Sequence, residues 1–359
     1  MLNFKLGFHK HRIKNLTFKI SNRISVFLLT SPLYKRNNIE GIFCISLDFE
    51  KYWGVHDVRP ITDVMHFKNT TAVVTDLLAL FRKYDTHVTW ATVGLLAYPN
   101  IKELLSKSGK EGIPYTNEAY SPFPLKKEKY GDFSPDLLLG RKEIEHIINS
   151  PNQELASHTY SHFYCCEDGV TETDFMADCE KMKGLESDLG MQFNSIVFPR
   201  NQVNEMCLSK CKDFNITSFR GNQENRFWRN SSFENESFLK KFCRVVDAYV
   251  KISKTNSYQI QDLKIEKGLL NIPANRFFRP HSGKKWFEKR KIQRIKDEMF
   301  KAARNGTVYH LWWHPHNFAT NLDKSIKQIE ELLAYSHVLN DKFGLISLNM
   351  SEIAERTKK

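Results

Sequence analysis

From residue 41 onward the chain alternates short apolar, β-rich runs with amphipathic helical stretches, and no other feature constrains its fold as tightly. Strands joined by helical crossovers make a parallel sheet or barrel. The expected strands are residues 41–47, 87–93, 154–157, 195–199, 216–220, 269–272, 307–313 and 344–348. Between them, Asn69 precedes a run with Val73, Val74, Leu77, Leu78 and Phe81 on one face. Thr171 with Asp174 forms a capping box, and two further helices are expected over 284–304 and 323–339. The fold class expected is therefore α/β, a distorted (β/α) barrel of seven or eight strands over residues 40–359, with an open doubly wound sheet as the competing arrangement. Residues 108–136, rich in Gly, Pro, Tyr and Lys, are too long for an ordinary connection and are expected to form a binding loop or lid.

Charge separates the first 39 residues from the rest. The whole chain of 359 residues carries +12, but residues 1–39 hold eight Lys or Arg and no acid, and residues 279–304 hold ten basic against three acidic residues. The remainder is close to neutral, so the basic character belongs to two patches and not to a nucleic-acid-binding fold. Lys and Arg interleaved with Phe4, Leu6, Phe8, Ile13, Leu16, Phe18 and Ile20 make residues 1–39 a basic arm suited to peripheral contact with anionic lipid. No run approaches the ~18 apolar residues of a membrane span. Seven cysteines without a regular framework, and a first apolar run too late and wrongly flanked for a signal peptide, lead to the expectation of a reducing cytoplasm.

Chemistry-bearing residues gather where strands are expected to end. Asp48 and Glu50, two apart at the end of the first strand, project the same way. His158 and His162 follow the third; four apart on one helical turn, both reach a single metal ion. The fourth strand ends in Pro199-Arg200-Asn201, and an arginine there is suited to bidentate grip on a carboxylate. The run Tyr309-His310-Leu311-Trp312-Trp313-His314-Pro315-His316-Asn317 places histidines and tryptophans at a further strand end, with proline fixing the chain direction after His314. Each motif alone also fits an ordinary structural role: a solvated acidic pair, capping histidines, a surface arginine, an aromatic core strand.

Taken together, the set resembles the polysaccharide deacetylase family (the NodB homology domain, carbohydrate esterase family 4) over roughly residues 41–350. It looks closest to the branch found in surface-polysaccharide biosynthesis, with Ser218-Phe219-Arg220-Gly221-Asn222, Arg244-Val245-Val246-Asp247-Ala248-Tyr249 and Phe277-Phe278-Arg279-Pro280 as further points of likeness. The resemblance implies a metal-dependent hydrolase that removes an N-acetyl or similar small acyl group from an amino sugar. Asp48 matches the catalytic base, Glu50 the acidic metal ligand, and His158 and His162 the histidine ligands. Arg200 matches the arginine that orients the base, Asp247 the acid that tunes the catalytic histidine, and His314 that histidine, the general acid. The ion implied is Zn²⁺, with Co²⁺ or Ni²⁺ as alternatives. Three departures stand out: Asp48-Phe49-Glu50 replaces adjacent acids, Pro199 precedes Arg200, and His316 competes with His314 for the role of acid. Trp53, His56, Trp313 and His316 are the expected sugar contacts. The substrate's carrier, nucleotide or lipid, stays open, and a non-catalytic carbohydrate-binding protein on the same fold is the alternative.

Overall fold

The computed structural model describes residues 40–109, 111–126, 130, 134–223, 247, 249 and 257–358; the basic arm expected over 1–39 and most of the stretch around Asp247 lie outside them. Each of the eight expected runs contains a strand: β1 Gly41–Phe49, β2 Val88–Thr92, β3 Gln153–Ser157, β4 Ser195–Ile196, β5 Ser218–Phe219, β7 Leu269–Asn271, β9 Val308–Trp313 and β10 Leu345–Ser347. Two more, β6 Ile265–Glu266 and β8 Arg276–Phe277, bring the described sheet to ten strands where seven or eight were expected. Each is two residues long, as are β4 and β5, but β4 and β5 lie within the expected runs 195–199 and 216–220 and these two lie in none.

The sheet runs β6-β7-β5-β4-β3-β2-β1-β9-β8, with β10 paired beside β1. All pairings are parallel except β6 with β7. This is the α/β, distorted-barrel architecture expected from the alternation, with the sheet ending at β6 and β8. Helices Thr70–Lys83, Lys285–Asn305 and Leu322–Phe343 supply the outer layer. Thr171 and Asp174 do form a reciprocal capping box at the start of helix Glu172–Leu189.

Strand parity places the chemistry. Side chains on a strand alternate between its two faces, and β1 pairs in register with β9, Ser46 opposite Trp312. Even-numbered residues of both strands therefore face the barrel interior, and odd-numbered ones face the helices. The interior is layered from bottom to top. Ile42, Cys44 and Val308 pack with Ile272 and with Met350, Ile353 and Ala354 of the C-terminal helix Met350–Thr357. Above that apolar floor come Ser46 and His310, whose side chains hydrogen-bond at 2.8 Å. Asp48 and Trp312, then Glu50 and His314, lie at the C-terminal ends of the strands. That rim is where parallel α/β folds build their sites. The cysteines described are all free thiols, and no helix among the described residues is long and apolar enough to cross a membrane.

Candidate metal centre

Glu50, His158 and His162 converge. All three are buried, and their nearest ligand atoms lie within 4.8 Å of one another. Glu50 Oε2 is 3.1 Å from Nε2 of His158 and 3.1 Å from Nε2 of His162. The local chain that achieves this is not the helical turn expected from the spacing. Residues 158–163 form an irregular loop with Thr159 and His162 in the left-handed region, each at φ 62°. That loop is pinned by Asp178 of helix Glu172–Leu189, whose carboxylate accepts from the backbone N–H of Tyr160 (2.7 Å) and Ser161 (3.0 Å) and from the Ser161 hydroxyl. Thr159 Oγ1 accepts from the Phe163 N–H at 2.7 Å. Such supports matter because strained backbone persists only where its surroundings over-determine it.

The outer ring nitrogens decide what the inner ones can do. His158 Nδ1 lies 2.7 Å from the Val197 carbonyl, which can only accept, so the proton sits on Nδ1. His162 Nδ1 lies 3.2 Å from Tyr164 Oη, whose own proton goes to Asp57 Oδ1 at 3.2 Å; that hydroxyl therefore accepts from Nδ1 as well. In the neutral rings both Nε2 atoms are left with bare lone pairs. Burial lowers the His162 pKa, outweighing Glu50, and so favours its neutral form. Burial alone would raise the Glu50 carboxyl, yet the His314 ring beside it outweighs that and holds it well below the usual range. Two imidazole lone pairs thus face an ionised carboxylate oxygen in a buried pocket, an arrangement that is unfavourable without a cation between them. The set fits a divalent ion with two nitrogen donors and one oxygen donor. Gly54 completes the fit: a Cβ there would fall 2.0 Å from Glu50 Oε1.

Asp48 lies beside this centre with a different partner from the one expected. Arg220, at the end of β5, donates from Nη1 to Oδ1 at 2.6 Å and from Nη2 to Oδ2 at 2.8 Å. Its plane stacks on Trp312, the guanidinium carbon 4.2 Å from the ring centre, and it also donates to Ser46 Oγ (3.1 Å) and Asn201 Oδ1 (2.9 Å). Because Ser46 Oγ accepts from Arg220, its own proton goes to His310 Nε2, and burial holds that ring's pKa near 3, hence neutral and able to accept. Burial tends to raise the Asp48 carboxyl, but Arg220 above all brings it below its ordinary value.

Arg200, expected to orient the base, pairs instead with Asp57 and stacks on Tyr164 at 4.1 Å. Its backbone is left-handed, φ 53°, so after Pro199 the chain turns its side chain away from Asp48. Asp247, expected to tune the histidine acid, is ion-paired with Arg294 at 3.1 Å and Arg276 at 3.6 Å, two buried arginines that need carboxylates there. The group at His314 Nδ1 is the Asn317 amide, 3.3 Å away. His314 Nε2 lies 3.6 Å from Asp48 and 3.5 Å from Glu50, and this ring keeps 21% exposure. His316 is buried against Phe67, with Nε2 4.0 Å from Glu50, and burial drops its pKa to about 3.

The expected sugar contacts are mostly packing residues. Trp313 is odd-numbered, so it faces the helices, packed between Phe278 and Phe318. Trp53 is fully buried, donating to the Leu138 carbonyl at 2.9 Å. His56 is buried parallel to Tyr164, its nitrogens facing the carbonyls of Trp53 and Tyr120. The aromatics that do border the site are Trp312 and Phe277, 5.6 and 5.5 Å from the His314 ring. Parity along β9 carried the signal for Trp312 and His310, and along β1 for Ser46; nothing local distinguished Arg220 from Arg200. The described part of 108–136 packs Tyr115 and Tyr120 onto Tyr164, and Tyr115 Oη accepts from the Tyr164 N–H at 2.7 Å. It buttresses the histidine loop.

No protein-family profile and no curated protein sequence matches the chain. Solved structures do. A Mycobacterium smegmatis protein assigned as a polysaccharide deacetylase aligns over 91% of this chain and 93% of its own, at 14% identity and a TM-score of 0.53. A probable polysaccharide deacetylase from Pseudomonas aeruginosa PAO1 aligns over 88% and 89%, at 11% identity and a TM-score of 0.50. At such identities the likeness is one of architecture, and in architecture this chain has the polysaccharide deacetylase fold.

Proposed function

We propose that the chain is a metal-dependent amide hydrolase that removes an N-acetyl or similar small acyl group from an amino sugar in bacterial surface-polysaccharide metabolism. The observation that carries this reading is Glu50 Oε2 set 3.1 Å from two bare imidazole nitrogens, with Asp48 and His314 beside it. Glu50, His158 and His162 would hold a divalent ion, most simply Zn²⁺, whose chemistry would be Lewis-acid activation of water and of the amide carbonyl.

The chain's own residues do the rest. Arg220 keeps Asp48 ionised and fixes its orientation, so Asp48 takes the proton of the attacking water. His314, the more exposed of the two rim histidines, delivers a proton to the departing amine nitrogen, which would otherwise leave as an unstable amide anion. His316 packs beneath it and supports its position. Trp312 and Phe277 offer apolar faces to a sugar ring. We place the reaction in the cytoplasm, on a nucleotide-linked or lipid-linked sugar, with residues 1–39 as a peripheral membrane contact and no specific nucleic-acid partner.

The test is acetate release from N-acetyl amino sugars on either carrier, with and without chelator and with Zn²⁺, Co²⁺ or Ni²⁺ restored. Activity that needs metal and is abolished in Asp48→Ala and His158→Ala is expected. Undiminished turnover by either variant overturns the reading, and a protein that cannot be loaded with metal favours the carbohydrate-binding alternative.

A further inference from the structure

The helix Lys285–Asn305 starts on the same rim as the metal ligands. It follows β8, whose Phe277 ring is 5.5 Å from His314, and the intervening turn touches the chain beyond His316 through the Asn321 amide on the His281 carbonyl at 3.3 Å. At this helix start Trp286 is 56% exposed, while Trp53, Trp90, Trp312 and Trp313 are buried. Lys284, Lys285, Lys289 and Arg290 surround it, all exposed, and the Arg290 guanidinium lies 4.8 Å over its ring.

Residues 281–290 contain one acid, Glu288, and it is turned inward. It accepts from the Ser282 N–H (2.9 Å) and hydroxyl (2.6 Å), from Gln328 (2.8 Å), and pairs with Lys291 at 2.6 Å. The outward face is therefore one tryptophan in a ring of four cations, with the one carboxylate of residues 281–290 turned inward to Lys291. An exposed indole is costly in bulk water and favourable at the headgroup level of a bilayer, where lysine and arginine meet anionic lipid. Binding to single-stranded nucleic acid would call for a succession of aromatics along a groove, and the patch is a single indole on a convex helix end.

We infer that this helix start is a docking surface for an anionic phospholipid bilayer, which presents the metal-centre rim to the membrane. Combined with the hydrolase reading above, on which this second step rests, it selects among carriers: the substrate is an amino sugar borne on a lipid anchor.

Vesicles of phosphatidylglycerol and brominated phosphatidylcholine test the surface in the full chain, compared with phosphatidylcholine alone. Because residues 1–39 carry no tryptophan, quenching that disappears in Trp286→Phe reports this patch and not the arm. Trp286-dependent quenching on the anionic vesicles is expected, with about tenfold weaker partition for Lys284→Gln/Lys285→Gln/Lys289→Gln/Arg290→Gln. Absence of that quenching, or Trp286 emission that responds to polyuridylate and not to vesicles, overturns the inference. The same quadruple variant should lose about tenfold in turnover of a vesicle-borne substrate while a soluble one is unaffected. Quenching with no turnover of either substrate leaves the docking surface standing and defeats the hydrolase reading; turnover of the soluble substrate without quenching does the reverse.

Discussion

Arg220 holds both carboxylate oxygens of Asp48, at 2.6 and 2.8 Å, across 172 residues of sequence. The pair is buried, its guanidinium lies over the Trp312 ring and meets the acid edge-on, and it joins the end of β5 to the end of β1. Planar, two-pronged recognition of this kind is available to arginine and not to lysine.

Arg220→Gln should reduce kcat by about 100-fold or more, since the base loses both its charge partner and its orientation. Thermal stability should fall as well, because the change leaves a buried carboxylate unpaired. Arg200→Gln, which breaks the contact with Asp57, should leave the base's protonation behaviour as in wild type. The comparison is made on pH–rate profiles: the acid limb moves up in the Arg220 variant alone. A shift in the Arg200 variant alone would mean that Arg200, and not Arg220, sets the base.

The two rim histidines should separate kinetically. His314→Ala is expected to lower kcat about 10²–10⁴-fold on an N-acetyl amine, and much less on an aryl acetate whose leaving group needs no proton. His316→Ala should act chiefly on stability, because its ring fills space against Phe67 and His314. Leaving-group dependence in the His316 variant alone would assign the acid to His316.

Metal affinity should depend on residues that never touch the ion. Asp178→Asn exchanges an acceptor oxygen for a donor opposite the Tyr160 and Ser161 N–H groups, loosening the loop between the two histidines. About 10–100-fold weaker Zn²⁺ binding by chelator competition is expected. Gly54→Ala should weaken it too, by displacing Glu50. Wild-type affinity in both variants would show that the loop is held by other means.

Glu288 gives a pH-dependent prediction remote from the metal. Burial would raise its carboxyl, but Lys291, Ser282 and Gln328 together hold it at about 2. A folded pKa below the unfolded value of about 4.3 contributes stability that is present above pH ~4.3 and is lost as pH falls toward 2. The difference in Tm between wild type and Glu288→Gln should therefore shrink from pH 5 to pH 2; a difference independent of pH would contradict it.

The local pattern was informative wherever periodicity decides position. Apolar runs marked eight of the ten described strands, the Thr171 capping box marked a helix start, and period-two parity put Asp48, Trp312 and His314 on one face with Ser46 and His310 beneath them. The members of the buried cluster were legible too, since Glu50, His158 and His162 all sit just past strands. Only the tertiary structure chose between Arg200 and Arg220, because both follow strands, and the outcome turns on a left-handed residue at Arg200 and on which strand ends lie side by side. It likewise gave Asp247 to Arg294 and Arg276, and enclosed Trp53 and Trp313 in packing. Spacing along a chain fixes which face a side chain takes, whereas its partner depends on strand order across the sheet, a property of the assembled chain that no local stretch contains.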